Sequence, residues 1–246
     1  MSTSAPVALV TGGGTGIGRA IAVRLAHEHA AVAVGYSRSE AEANQTVEEI
    51  RGCGGRALAV RADVGDQRDV EAMVGRVAAE LGPPTWLVNN AATTVSIPLG
   101  DLEAVTGEIF DRLFSVNVKG PFYCARAAAG YMRANGGGAI VNIGSIAGVN
   151  GDGSSLPYAT SKAALAGLTR SLARALAPAI RVCCIAPGVV RTRWWEGRQD
   201  HMERLSSKSL LERTTLPEDI ADMVVAVLRQ PAITGQLIVV DGGQTL

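Results

Sequence analysis

The sequence predicts a doubly wound α/β fold, and three observations carry that expectation. Short runs rich in β-branched residues, near 7–11, 31–36, 57–62, 85–90, 139–144, 180–186 and 236–240, alternate with longer stretches rich in Ala, Leu, Glu and Arg. The strand runs VALVT, AVAVGY, WLVNN and AIVNI are nearly continuous in apolar residues, as needed when helices cover both faces of a parallel sheet. The helical stretches end at turn formers: Gly52, Gly54 and Gly55 after EEIR, Gly82 with Pro83 and Pro84 after AAEL, and Gly136 with Gly137 and Gly138 after YMRAN.

Composition bounds the rest. Of 246 residues, 47% are hydrophobic and 19% charged, enough apolar surface for one large core, and no linker interrupts the rhythm, so a single domain over 1–246 is expected. Lys plus Arg and Asp plus Glu both number 23, with no long block of one sign, so neither nucleic acid nor an anionic membrane is an expected partner. The start MSTSAPVALVTGGG lacks the basic and apolar regions of a signal peptide, and no run of about 18 apolar residues occurs. A cytoplasmic protein is expected. Cys53, Cys124, Cys183 and Cys184 form no CxxC pair and have no neighbouring His, so they read as reduced thiols with packing roles, and no metal is expected. His27, His29 and His201 show no ligand spacing and read as solvated or lightly packed.

The first strand runs into Gly12-Gly13-Gly14-Thr15-Gly16-Ile17-Gly18 and then a helix. Such glycines let the chain turn sharply and bring backbone N–H groups and a helix N-terminus against a phosphate. The spacing TGxxxGIG directly after an N-terminal strand resembles the short-chain dehydrogenase/reductase family. That resemblance implies a Rossmann-type, seven-stranded parallel sheet with helices on both faces. It also implies that Gly12, Gly16, Ile17 and Gly18 approach a dinucleotide pyrophosphate, with Gly14 and Thr15 in the same cofactor-binding turn.

Dinucleotide folds normally end their second strand with an acid that bonds the adenosine ribose; here AVAVGY is followed by Ser37-Arg38-Ser39. A carboxylate would repel the extra phosphate of NADP, whereas an arginine binds it with paired charge-assisted bonds. NADP(H) is therefore the favoured cofactor, with Ser37 and Arg38 as its contacts. Thr15 stands where NADP-preferring relatives often carry a base, so NAD stays open, as does the reading of Arg38 as a solvated charge. The resemblance adds Asp63 and Val64 after the third strand, Asp63 toward the adenine, and Asn90 and Ala91 after the fourth. Ala92 replaces the last glycine of NNAG, and Thr85 replaces a common Asp.

Reduction of a ketone develops an alkoxide, which needs a proton donor, a group to hold the oxygen, and a positive field on the donor. In Tyr158-Ala-Thr-Ser-Lys162 the phenol and ammonium stand four residues apart on one helix face, so the Lys charge, helped by an oxidised nicotinamide, is expected to lower the Tyr pKa from about 10. Ser145, in IVNIGSIAG, lies 13 positions upstream at the end of the fifth strand, where doubly wound sheets place ligands. Resemblance completes a catalytic tetrad of Asn117, Ser145, Tyr158 and Lys162. It assigns Ser145 to the substrate oxygen, Tyr158 to the proton, Lys162 to Tyr158 and the nicotinamide ribose, and Asn117 to a water that links Lys162 to solvent.

Pro187, Gly188, Val190 and Thr192 resemble the PGxxxT element that closes over the nicotinamide, with Cys183 where relatives carry Asn, and 233–243 resembles the closing strand. A homotetramer is implied, a dimer remaining open. A lid is expected over about 191–215. Trp194 and Trp195 in it either cover the substrate or anchor the lid, and Arg191, Arg193 and Arg198 either meet an anionic substrate or are solvated. The expected activity is NADPH-linked reduction of a ketone or 3-oxoacyl group. An alcohol, polyol or sugar dehydrogenase working oxidatively is the alternative, and a non-catalytic cofactor-binding regulator a third.

Overall fold

A computed structural model describes residues 5–197 and 199–246. Arg198 and the side chain of His201 lie outside the described residues. Seven strands, β1 (Val7–Thr11), β2 (Ala31–Tyr36), β3 (Ala57–Arg61), β4 (Trp86–Asn89), β5 (Gly138–Ile143), β6 (Ile180–Pro187) and β7 (Leu237–Val240), form one parallel sheet. Their order is β3-β2-β1-β4-β5-β6-β7. All seven expected strands are present, within a residue or so at each end.

Both faces of the sheet are covered, which explains the continuous apolar runs. On one face Ala8, Val10, Val32 and Val34 pack against α1 (Gly16–His27), α2 (Glu40–Gly52) and α9 (Pro217–Arg229). On the other, Val7, Leu9, Ala31 and Ala33 pack against α3 (Gln67–Glu80), α5 (Gly120–Ala134) and α7 (Leu156–Leu176). Alternate residues of one strand thus supply two cores, each fully buried Leu or Ile contributing roughly 1.5–3 kcal/mol. Across β4 and β5, Asn89 Nδ2 donates to Asn142 Oδ1 at 2.8 Å and Asn142 Nδ2 donates to the Thr169 hydroxyl of α7 at 2.9 Å, so the second core carries a polar chain.

Several elements were not foreseen. The helix α4 (Gly107–Phe114) runs into α5 through a π-helical turn, Ser115–Lys119, that carries Asn117. A four-residue helix α6 (Ala147–Asn150) follows Ser145. The 191–215 stretch holds a 3-10 turn, Arg193–Trp195, and α8 (Gln199–Ser206). That stretch is tied at its base by a parallel bridge between Val190 and Thr215, where Arg191 N–H donates to the Thr215 carbonyl at 3.0 Å.

Cys124, Cys183 and Cys184 are buried and free, but Cys53 is exposed, so the packing role expected for it is corrected: it follows α2 at the surface. His27 and His29 are exposed. Among the described residues no His, Cys, Asp or Glu cluster is placed to hold a metal ion, and no helix is long and apolar enough to cross a membrane.

Candidate active site

The chain leaves β1 for β2 and β3, then returns to the other side of β1 as β4. Loops after β1 and β4 therefore diverge and open a crevice at the carboxyl ends of the strands. A cleft of about 1860 Å³ lies there, larger than the roughly 300–1,000 Å³ that holds one small ligand. Gly12, Gly14, Thr15, Gly16, Ile17, Ser37, Arg38, Asp63, Val64, Asn90, Ala91, Ser145, Tyr158, Lys162, Pro187, Gly188, Val190 and Thr192 all line it. Gly18 and Asn117, also expected at the site, do not.

Gly12 and Gly16 have φ of +63° and +53°, a conformation that glycine adopts without strain. The turn they form delivers α1, whose first turn has no acidic residue and whose N-cap, Thr15, makes no side-chain cap bond. The cradle and the helix end fit a dinucleotide pyrophosphate. Gly18 also has a packing role. A Cβ there would stand 2.1 Å from the Gly12 oxygen and 2.4 Å from Asn90 Nδ2, so its missing side chain lets α1 close onto the turn.

Asn90 is likewise a brace, its Nδ2 donating to the Thr11 and Gly12 carbonyls at 3.0 Å each. The Thr11 hydroxyl, which the sequence did not single out, accepts from Asn90 N–H and Ala91 N–H at 3.0 and 3.1 Å. Loops after β1 and β4 are thus bolted together. Gly18→Ala should break this bolt and cost about 1–3 kcal/mol, the range for forced overpacking. Thermal denaturation checks it; an unchanged Tm would mean that the turn yields.

Ser37 and Arg38 are exposed where β2 ends, and no carboxylate occupies 37–39. The Asp63 carboxylate accepts from Gly65 N–H at 2.9 Å, shaping its own loop while lining the cleft.

At the opposite end, Ser155 caps α7 by accepting from Tyr158 N–H, and Pro157 occupies its first turn, which sets the phenol at the helix start and Lys162 one turn on. Ser145 accepts from Ala147 N–H at 3.1 Å and hydrogen-bonds the Tyr158 side chain. Lys162 is 4% exposed; Nζ donates to the Ile143 carbonyl at 2.8 Å and stands 5.8 Å from the centre of the Tyr158 ring.

In the chain without cofactor, the Tyr158 phenol is raised rather than lowered. Burial pushes the phenol up to about 12, the Ser145 bond pulling the other way. Burial also pushes Lys162 down to about 8. The ammonium is spent on the Ile143 carbonyl and lies by the ring, so desolvation outweighs its field.

Asn117, on the π-helical turn, is 1% exposed. Its Oδ1 accepts from Thr93 N–H at 2.9 Å, and Nδ2 donates to the Thr93 carbonyl and the Ser161 hydroxyl at 3.0 Å each. Ser161 donates to the Tyr158 carbonyl at 2.7 Å. Asn117 therefore ties the loop after β4 to the first turn of α7; its amide is engaged there, and the water-binding assignment gains no support from the side chain. Ser161, overlooked in the sequence, is the link.

The two tryptophans differ in their surroundings. Trp195 Nε1 donates to the Val190 carbonyl at 3.1 Å and anchors its segment. Trp194 is 39% exposed, and its ring centre is 6.3 Å from that of Tyr158. Of the arginines, Arg193 turns away from Tyr158 and reaches Ser39 and Glu42 beside α2.

A family model described as short chain dehydrogenase matches residues 6–203. A Streptomyces violaceoruber protein, provisionally assigned as ketoacyl reductase 2 of the granaticin polyketide synthase, is 39% identical over 245 residues, 98% of this chain and 97% of that one. The 3-oxoacyl-[acyl-carrier-protein] reductase FabG of Staphylococcus aureus is 37% identical over 240 residues, 96% of each. A solved structure of a provisionally assigned short-chain dehydrogenase/reductase from Burkholderia xenovorans superposes with a TM-score of 0.92 at 35% identity, covering 99% of both chains.

Proposed function

The chain belongs to the short-chain dehydrogenase/reductase family, oxidoreductases that act on carbonyl and hydroxyl groups with NAD(P), and from that premise we propose that it reduces a ketone or 3-oxoacyl group with NADPH. The observation that carries this reading is the convergence of Ser145, Tyr158 and Lys162 on the cleft that the glycine turn also lines.

When bound there, the nicotinamide supplies the hydride. The rest is the work of this chain. Ser145 donates to the carbonyl oxygen and holds it against the Tyr158 hydroxyl. Tyr158 gives its proton to the forming alkoxide. Burial keeps the phenol of the cofactor-free chain protonated at neutral pH, so it has a proton to give. Lys162, at about 8, is mostly ammonium at pH 7 and stabilises the phenolate as it forms. Thr192, Trp194 and Trp195 belong to a lid over 191–215 that excludes water.

NADPH is favoured because Ser37 and Arg38 stand where an acid would select NAD. The Staphylococcus aureus relative acts, by its name, on a 3-oxoacyl group, which supports the substrate class.

The test is consumption of NADPH and of NADH against ketones, diketones and 3-oxoacyl thioesters. We expect turnover with NADPH, and Arg38→Ala should weaken NADPH binding roughly tenfold, the scale of one charge-assisted contact, with NADH little changed. Turnover with NADH alone would overturn the cofactor assignment. Silence with both across ketones, with activity on alcohols, would reverse the direction.

A further inference from the structure

We propose that Arg193 is a second cofactor-selecting cation, which the lid carries across the cleft to the 2′-phosphate of the adenosine. The inference rests on the NADPH reading above and concerns how that phosphate is held.

The glycine turn, residues 12–18, contains no charged side chain. Arg38 is the charge that the sequence places at the end of β2. Arg193 comes from the far side of the cleft, in the 3-10 turn after β6. Its Nη1 donates to Glu42 Oε1 at 2.8 Å and its Nη2 to Ser39 Oγ at 3.0 Å. The preceding residue crosses the glycine turn, Thr192 Cγ2 lying 3.3 Å from where a Gly16 Cβ would be. Ala43, next to Glu42, packs on Gly14. The guanidinium therefore lies between the glycine turn and 37–39, and Thr15, Ser37, Arg38, Ser39 and Arg193 line one stretch of the cleft.

The chemistry suits a phosphate. A guanidinium has five N–H donors, and these two bonds use only two of them. Glu42 is lowered by its own backbone N–H and by the Arg193 bond, so it is ionised at neutral pH. A carboxylate at that place opposes a phosphate unless a cation pairs with it. Arg193 thus acts twice in one direction, supplying positive charge and cancelling Glu42. The pair is half exposed, at 46% and 38%, and such surface pairs do little for stability, so the contact has no evident structural purpose.

Two variants separate this from a mere latch on the lid. Arg193→Ala removes the cation and uncovers Glu42; Glu42→Gln removes the opposing charge and leaves the cation. Binding of NADPH and of NADH to the substrate-free protein is read by fluorescence titration at fixed salt, with circular dichroism to confirm folding. Arg193→Ala is expected to weaken NADPH about tenfold and NADH less than about twofold, and Glu42→Gln to tighten NADPH about threefold with NADH unchanged. A latch predicts that both variants weaken both cofactors alike, and that result would overturn the proposal. If Arg38→Ala weakens NADPH selectively and Arg193→Ala does not, only the role of Arg193 fails. A wild-type preference for NADH would sink this inference and the NADPH reading together.

Discussion

Tyr158→Phe is expected to lower turnover about 10²- to 10⁴-fold, the range for a lost general acid, while leaving cofactor binding within about twofold. The contacts explain the split. Lys162 Nζ and Trp194 meet the ring of Tyr158, at 5.8 and 6.3 Å from its centre, and phenylalanine keeps that ring. The cap of α7 uses the backbone N–H of residue 158 and the Ser155 hydroxyl, which also survive. Only the hydroxyl and its bond with Ser145 are lost. Initial rates and cofactor titrations on the same preparation check both halves. A variant that reduces ketones at the wild-type rate would remove Tyr158 from the mechanism, and one that loses turnover and cofactor binding together would make it a structural residue of the cofactor site. A cofactor-binding regulator would respond to neither change.

Much of this site is legible in the sequence because its determinants are local. Strands buried on both faces announce themselves as apolar runs, and the glycine turn, Ser145, Tyr158 and Lys162 sit at element ends that such runs define. What escapes is set by contacts distant in the chain. Helix α6 has four residues and no propensity signal; it exists because Gly148 lies on the backbone of α7, where a Cβ would stand 2.6 Å from the Lys162 carbonyl carbon. Gly18 and Asn90 carry the motif and also serve as packing and bracing, a role visible only when β1 and β4 are side by side. Asn117 is recognisable as a residue, yet its partners Thr93 and Ser161 lie 24 and 44 positions away. Arg193 reads as a possible partner of an anionic substrate, and the fold aims it 151 positions back, at Glu42. The upward push on Tyr158 in the cofactor-free chain escapes for the same reason: spacing reveals a neighbouring charge but not the burial that outweighs it there.

That burial makes Lys162→Met a test with effects of opposite sign. The ammonium is 4% exposed and pushed from 10.5 to about 8, and a shift of 10.5 − 8 corresponds to about 3 kcal/mol of strain on the folded, cofactor-free chain at pH 7. Methionine has similar length and no charge, so it relieves that cost. It also strands the buried Ile143 carbonyl, which costs about 1–3 kcal/mol. We expect the variant to be at least as stable as the wild type at pH 7, by up to about 2 kcal/mol, raising Tm by up to roughly 8 °C in a chain of this size. The pH dependence follows from the direction of the shift. Between the folded value of about 8 and the unfolded 10.5, the unfolded chain binds more protons, so wild-type stability rises with pH and the advantage of Lys162→Met shrinks across that window. Activity moves the other way, because the variant has no charge to stabilise a Tyr158 phenolate, and turnover should fall at least about 10²-fold. Thermal denaturation of both proteins without cofactor at pH 7 and at pH 9.5, with initial rates at pH 7, reads all three. An advantage that does not change with pH would mean that packing and not charge is responsible. A variant both less stable and inactive would show that the Ile143 bond outweighs the desolvation, and that Lys162 holds the active-site end of α7 in place as well as serving the chemistry.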